Sequence, residues 1–132
     1  MVRRISNAEL IKKAQSVRKP RKIRHDCTVG DVGCALVTDK GNIYVGVSID
    51  TCSGIGFCAE HSAIAAMVTH GEFLIKKIIA VAENGKPIPP CGRCREFMNQ
   101  THEENMNADV IVSKNKTVKL KDLLPLPWDA KE

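Results

Sequence analysis

The chain has 132 residues, 43% of them apolar and 27% charged, with a formal net charge of +5. That length supports one domain with a proper core and is too short for two. The N-terminus carries charges and no apolar h-region, and no apolar run approaches the ~18 residues of a spanning helix, which argues against a signal peptide or a membrane partner and for a cytoplasmic protein.

Taken in chain order, the first feature is a basic segment. Residues 1–25 hold nine of the twenty Lys and Arg against one acid, Glu9, and the rest of the chain is net negative. No aromatic stacking residue lies among those charges, so a solvated helix face and linker is expected, and a nucleic-acid partner is not. Within it, Ser6 and Glu9 have the form of a capping box, and Leu10, Ile11, Ala14 and Val17 recur at helical spacing. The spacing predicts a helix over 7–18, ended by Pro20. "VGCALVTDKGNIYVGVSI" then gives two apolar strands, about 32–38 and 42–48, joined by a tight turn at Asp39–Asn42.

A Gly-rich loop leads into an Ala-rich helix, "CAEHSAIAAMVTHG", with Cys58 and Glu60 in its first turn and Gly71 at its end. A strand over 75–83 follows. Asn84, Gly85 and three prolines lead to a second helix whose first turn carries Cys91 and Cys94. Two short strands around Asn115, a helical turn and an extended tail close the chain. Strands alternating with helices, with a hairpin in front, predict a mixed sheet covered by helices on both faces.

Six cysteines without an export signal point to reduced thiols or metal ligands rather than to disulfides. The Cys91-x-x-Cys94 spacing supports metal, and with Cys58 it supplies the three protein ligands of a catalytic zinc site, whose fourth position stays open. Helix N-termini suit thiolates, because they favour negative charge. Glu60, at the first turn, can face the open side and move protons between a water activated there and a leaving group. The competing arrangement is a closed structural zinc site completed by Cys34, Cys52, His61 or His25.

These motifs resemble the zinc-dependent cytidine deaminases of the short, three-cysteine type. The likeness is carried by "CAE" at 58–60 with "AI" at 63–64, "PPCGRCRE" at 89–96, "VGCALVTDKGNIYVG" at 32–46 and "LLPLPW" at 123–128. It implies a three-layer α/β/α sandwich around a five-stranded mixed sheet, one zinc per chain and a homotetramer. It implies further that Cys58, Cys91 and Cys94 bind zinc and that Glu60 shuttles protons during attack at C4 of a cytosine nucleoside. The Pro89–Pro90 carbonyl region and the Ala59 amide would read the ring's polar edge.

Three departures from the family pattern stand out. The pair that holds the ribose, commonly Asn-x-Glu, corresponds to Ser48 and Asp50, with shorter reach. An aromatic residue that commonly precedes the first strand falls at Gly30 or Asp31, while Trp128 fits a C-terminal aromatic that reaches a neighbouring subunit. The Arg that commonly follows the catalytic Glu is His61, which softens thiolate charge less well; Arg93 and Arg95 stand near enough in sequence to contribute. The expected reaction is hydrolytic deamination of cytidine, deoxycytidine or a close analogue. An aminohydrolase for modified cytosines of the blasticidin type, and a non-enzymatic zinc module binding nucleic acid through its basic arm, are the alternatives.

Overall fold

A computed structural model describes residues 4–130; Met1, Val2 and Arg3 of the basic arm, and Lys131 and Glu132 of the tail, lie outside the described residues. The first helix, α1 (Asn7–Val17), begins as the sequence predicts: the Ser6 hydroxyl accepts from the Glu9 N–H at 3.1 Å. Then follow β1 (Arg21–Arg24), β2 (Cys27–Thr38), β3 (Ile43–Thr51), α2 (Ala59–Thr69), β4 (Ile75–Val81), β5 (Pro87–Ile88), α3 (Gly92–Thr101), β6 (Asp109–Ser113), β7 (Lys116–Lys119) and α4 (Leu120–Leu123).

The sheet is mixed, with β4 and β6 parallel and the other pairs antiparallel. Among the described residues it has seven strands, not the five expected. The two additions are β1, which pairs with the start of β2, and β5, which pairs with the end of β4. Neither carries a strand signal: β1 reads RKIR and is exposed throughout, and β5 is two residues inside a proline-rich bend.

Alternation along the strands divides the core. Cys34 and Leu36 of β2, Ile78 of β4 and Val110 of β6 pack with Ala63, Ile64 and Met67 of α2 and Met98 of α3. Their neighbours Ala35, Val37, Ile79 and Ile111 turn to the opposite face, against Leu10 and Ala14 of α1. The result is an α/β/α sandwich in which, among the described residues, α1 alone forms one layer. The basic segment is thus part of the fold, covering apolar strand residues with its one buried stripe.

Two glycines set the layer spacing. A Cβ on Gly33 would stand 2.3 Å from the Ala14 carbonyl oxygen, and one on Gly46 would stand 2.4 Å from the Ala63 nitrogen. Backbone therefore rests on backbone where α1 meets β2 and where α2 meets β3. Ser62 fastens the second contact by donating to the Val47 carbonyl at 2.7 Å.

Candidate metal centre

The topology explains why two distant motifs meet. β3 and β4 are each antiparallel to β2, so their C-terminal ends lie at the same end of the sheet. α2 follows β3 and α3 follows β4 through β5, both on the same sheet face, so both helices start at that end. Cys58 is the N-cap residue of α2, Cys91 that of α3, and Cys94 lies buried in the first turn of α3.

The three Sγ atoms lie within 4.8 Å of one another, with Cys58 and Cys91 at 3.4 Å. Bonds of ~2.3 Å to a tetrahedral zinc place sulfurs roughly 3.8 Å apart, so the cluster has the size for one ion. Among the described residues no other His, Cys, Asp or Glu joins the group, which leaves a fourth position open.

Electrostatics also ask for a cation. Burial pushes the Cys58 thiol up, and burial followed by the charges of Glu60 and Cys58 pushes Cys94 up strongly. Cys91 is different: burial works against its thiolate, but the backbone N–H groups of Cys94 and Arg93 and the neighbouring thiols outweigh it, so it is lowered. That is a helix N-terminus acting on a thiol. A dication bound among the three thiols and Glu60 would favour the thiolate forms that this crowding disfavours.

Glu60 is 4% exposed and lines, with Cys58 and Cys91, a cleft of about 370 Å³. Burial raises its carboxyl, opposed by a backbone hydrogen bond. Val32, Ile49, Phe57 and Ile88 give the cleft apolar walls, and Ser48, Asp50, Ala59, Pro89 and Arg93 also line it. Ser48 is buried, and its hydroxyl accepts from the Val32 N–H at 3.0 Å, so one of its two lone pairs serves the backbone. The Pro90 carbonyl is engaged by Arg95 Nε at 2.8 Å, leaving Pro89 as the proline that faces the cleft. Arg93 bridges to the Gly56 carbonyl at 3.4 Å and so ties α3 to the loop before α2.

His61 Nδ1 lies 3.3 Å from Cys94 Sγ. Its ring stacks on Phe97, centroids 4.2 Å apart and planes 9° from parallel, with Phe57 looser on it at 6.4 Å. Burial, then the charge of Arg93, holds the imidazole below its usual value. Sequence reasoning missed Phe97. The available signal was its place three residues after Cys94, as His61 is three after Cys58, spacings that bring side chains onto one helix face.

Trp128 does not line the cleft of its own chain. The residue is 72% exposed and its backbone N–H donates to the Glu96 carboxylate of α3. Cys34 is a fully buried core residue; Cys52 is exposed and lines, with Cys27 and Ile55, a separate hollow. His25 and His70 are exposed, and His102 caps the short turn at 103–107.

The family profile for the cytidine and deoxycytidylate deaminase zinc-binding region matches residues 5–110. A cytidine deaminase of Halalkalibacterium halodurans is 37% identical over 68 residues, covering 51% of this chain and 52% of that one. One of Mycobacterium tuberculosis is 30% identical over 95 residues, 71% of this chain and 69% of the other. The aligned stretch thus spans about half the length of the first of these relatives. Among solved structures, the cytidine deaminase of Mycobacterium leprae superposes with a TM-score of 0.78 at 25% identity, covering 93% of this chain and 100% of that one. That of Burkholderia pseudomallei gives 0.76 at 26% identity over 94% of this chain and 100% of its own.

Proposed function

The chain belongs to the cytidine and deoxycytidylate deaminase family, and from that premise we propose that it catalyses the zinc-dependent hydrolytic deamination of cytidine or deoxycytidine. The observation that carries this reading is the buried Glu60 carboxyl in one cleft with a three-thiol cluster whose fourth side is open.

Cys58, Cys91 and Cys94 would hold the zinc. When bound, it supplies the Lewis acidity that makes water a nucleophile near neutral pH. Glu60 would accept one proton from the attacking water and pass it to the ring nitrogen as the C4–O bond forms, then take the second from the new hydroxyl and give it to the amino group as the C4–N bond breaks, so that ammonia leaves and a uracil-type product remains. Its burial supports this work, because a carboxyl raised towards neutral pH both takes and gives protons. The Pro89 carbonyl accepts from the amino group of the substrate, and the Ala59 N–H donates to the ring's polar edge. Asp50, exposed at the rim, accepts from sugar hydroxyls, and Ser48 keeps its proton to donate. The apolar walls keep bulk water from the ring.

In this proposal the working form is a homotetramer in the cytoplasm, serving pyrimidine salvage. Exposed Leu126 and Trp128 give the tail an apolar tip suited to a neighbouring subunit's cleft. No helix among the described residues is long and apolar enough to cross a membrane.

The test is direct. Purified protein should contain about one zinc per chain and convert cytidine to uridine with release of ammonia. Glu60→Gln should keep its zinc and lose at least ~10²-fold in turnover. Full turnover by that variant would overturn the assignment.

A further inference from the structure

We propose that Phe97 is a positioning residue for the metal centre, acting through His61: its ring fixes the imidazole plane so that the Nδ1 hydrogen is delivered to Cys94. The proposal rests on reading Cys58, Cys91 and Cys94 as zinc ligands, and it does not depend on the substrate.

Four observations carry it. Cys94 is buried, and a ligating sulfur there is a thiolate, which accepts hydrogen bonds and cannot donate. Whatever faces it must therefore bring a hydrogen. His61 Nδ1, at 3.3 Å, is the side-chain nitrogen that reaches that sulfur, so the proton belongs on Nδ1. An imidazole turns about a broad, roughly two-fold torsion, and half a turn would replace Nδ1 by a C–H. Something has to hold the plane, and Phe97 lies against it at 4.2 Å and 9° from parallel.

Burial in the core does not account for Phe97, which is 36% exposed. Phe57, on the same imidazole, stands at 6.4 Å and is tilted by 34°, too loose to define the plane. The stack also bridges the two helices that carry the ligands, since His61 is on α2 and Phe97 on α3. Outer groups that orient metal ligands commonly change affinity by about 10–100-fold when removed.

The experiment uses the full chain, stripped with a chelator and reloaded. Zinc affinity is read by competition with a chromophoric chelator, and cobalt(II) replaces zinc as a spectroscopic probe of the thiolates. Phe97→Leu and His61→Ala should each weaken zinc binding about 10-fold, and the double variant should bind no more weakly than His61→Ala alone. Both single variants should shift the thiolate-to-cobalt charge-transfer band in the same direction. Phe97→Tyr, which keeps the flat ring, should keep both affinity and band.

Losses that add in the double variant would overturn the proposal, as would normal affinity in Phe97→Leu. So would a Phe97→Leu chain that melts well below wild type without metal, because Phe97 would then be a packing residue. A wild-type chain that binds zinc tightly and deaminates no cytosine nucleoside would sink the substrate assignment and leave this proposal standing.

Discussion

Cys91 and Cys94 stand three residues apart and differ in kind. Cys91 is exposed at a helix start where backbone N–H groups lower its thiol, whereas Cys94 is buried and raised. In the zinc-free protein near neutral pH, iodoacetamide should therefore modify Cys91 before Cys58 or Cys94, and zinc should protect all three; peptide mass spectrometry would read the order. A second residue couples the fold to pH. Burial works to raise the Glu72 carboxyl, but hydrogen bonds from Tyr44, Thr38 and Asn42 outweigh it and hold it below its usual value. A depressed value means that the folded chain binds this proton less tightly than the unfolded one, so the stabilisation is present above the unfolded value of ~4.3 and is lost as pH falls through the folded value. Thermal melts of wild type and Glu72→Gln should differ at pH 7 and converge towards pH 3. The meeting of Cys58, Cys91 and Cys94 beside Glu60 was legible because spacing and helix starts are local; the bond from Val32 to Ser48 crosses 16 residues and was not.

Elements are joined by a few groups whose loss is felt on both sides. Asn105, fully buried, donates to the carbonyls of Phe73 and Met98 at 3.1 Å and accepts from the Ile75 N–H at 2.8 Å. It ties the end of α3 to the start of β4. Asn105→Ala should take these bonds from the Phe73 carbonyl and the Ile75 N–H and cost about 3 kcal/mol, measured by urea unfolding. Gly46→Ala should act at longer range: the added methyl meets the backbone of α2, so the helix must shift and carry Cys58 with it. We expect a loss of about 1–3 kcal/mol together with weaker zinc binding. Hairpin, helices and turn residues could be read from period and capping. β1 and β5 could not, because a charged edge strand and a proline-rich pair become strands only when β2 and β4 offer them free backbone groups.

On the scale of the whole molecule, α1 is the element whose role changes most between sequence and structure. Its charges describe the solvent side, yet Leu10 and Ala14 cover Ala35, Val37, Ile79 and Ile111. Deleting residues 1–18 should expose that face, abolish cooperative melting and create dye-binding apolar surface. A truncated chain that still melts cooperatively would show the layer to be dispensable. Three cysteines able to share one ion, and strands alternating with helices, could be read from the chain alone, because ligand chemistry, capping and hydrophobic period are all written within a few residues. That α1 is a core layer, that His61 leans on Phe97 and that Trp128 lies outside its own chain's cleft came from the folded chain. Each of those depends on strand directions bringing together side chains that no local spacing relates.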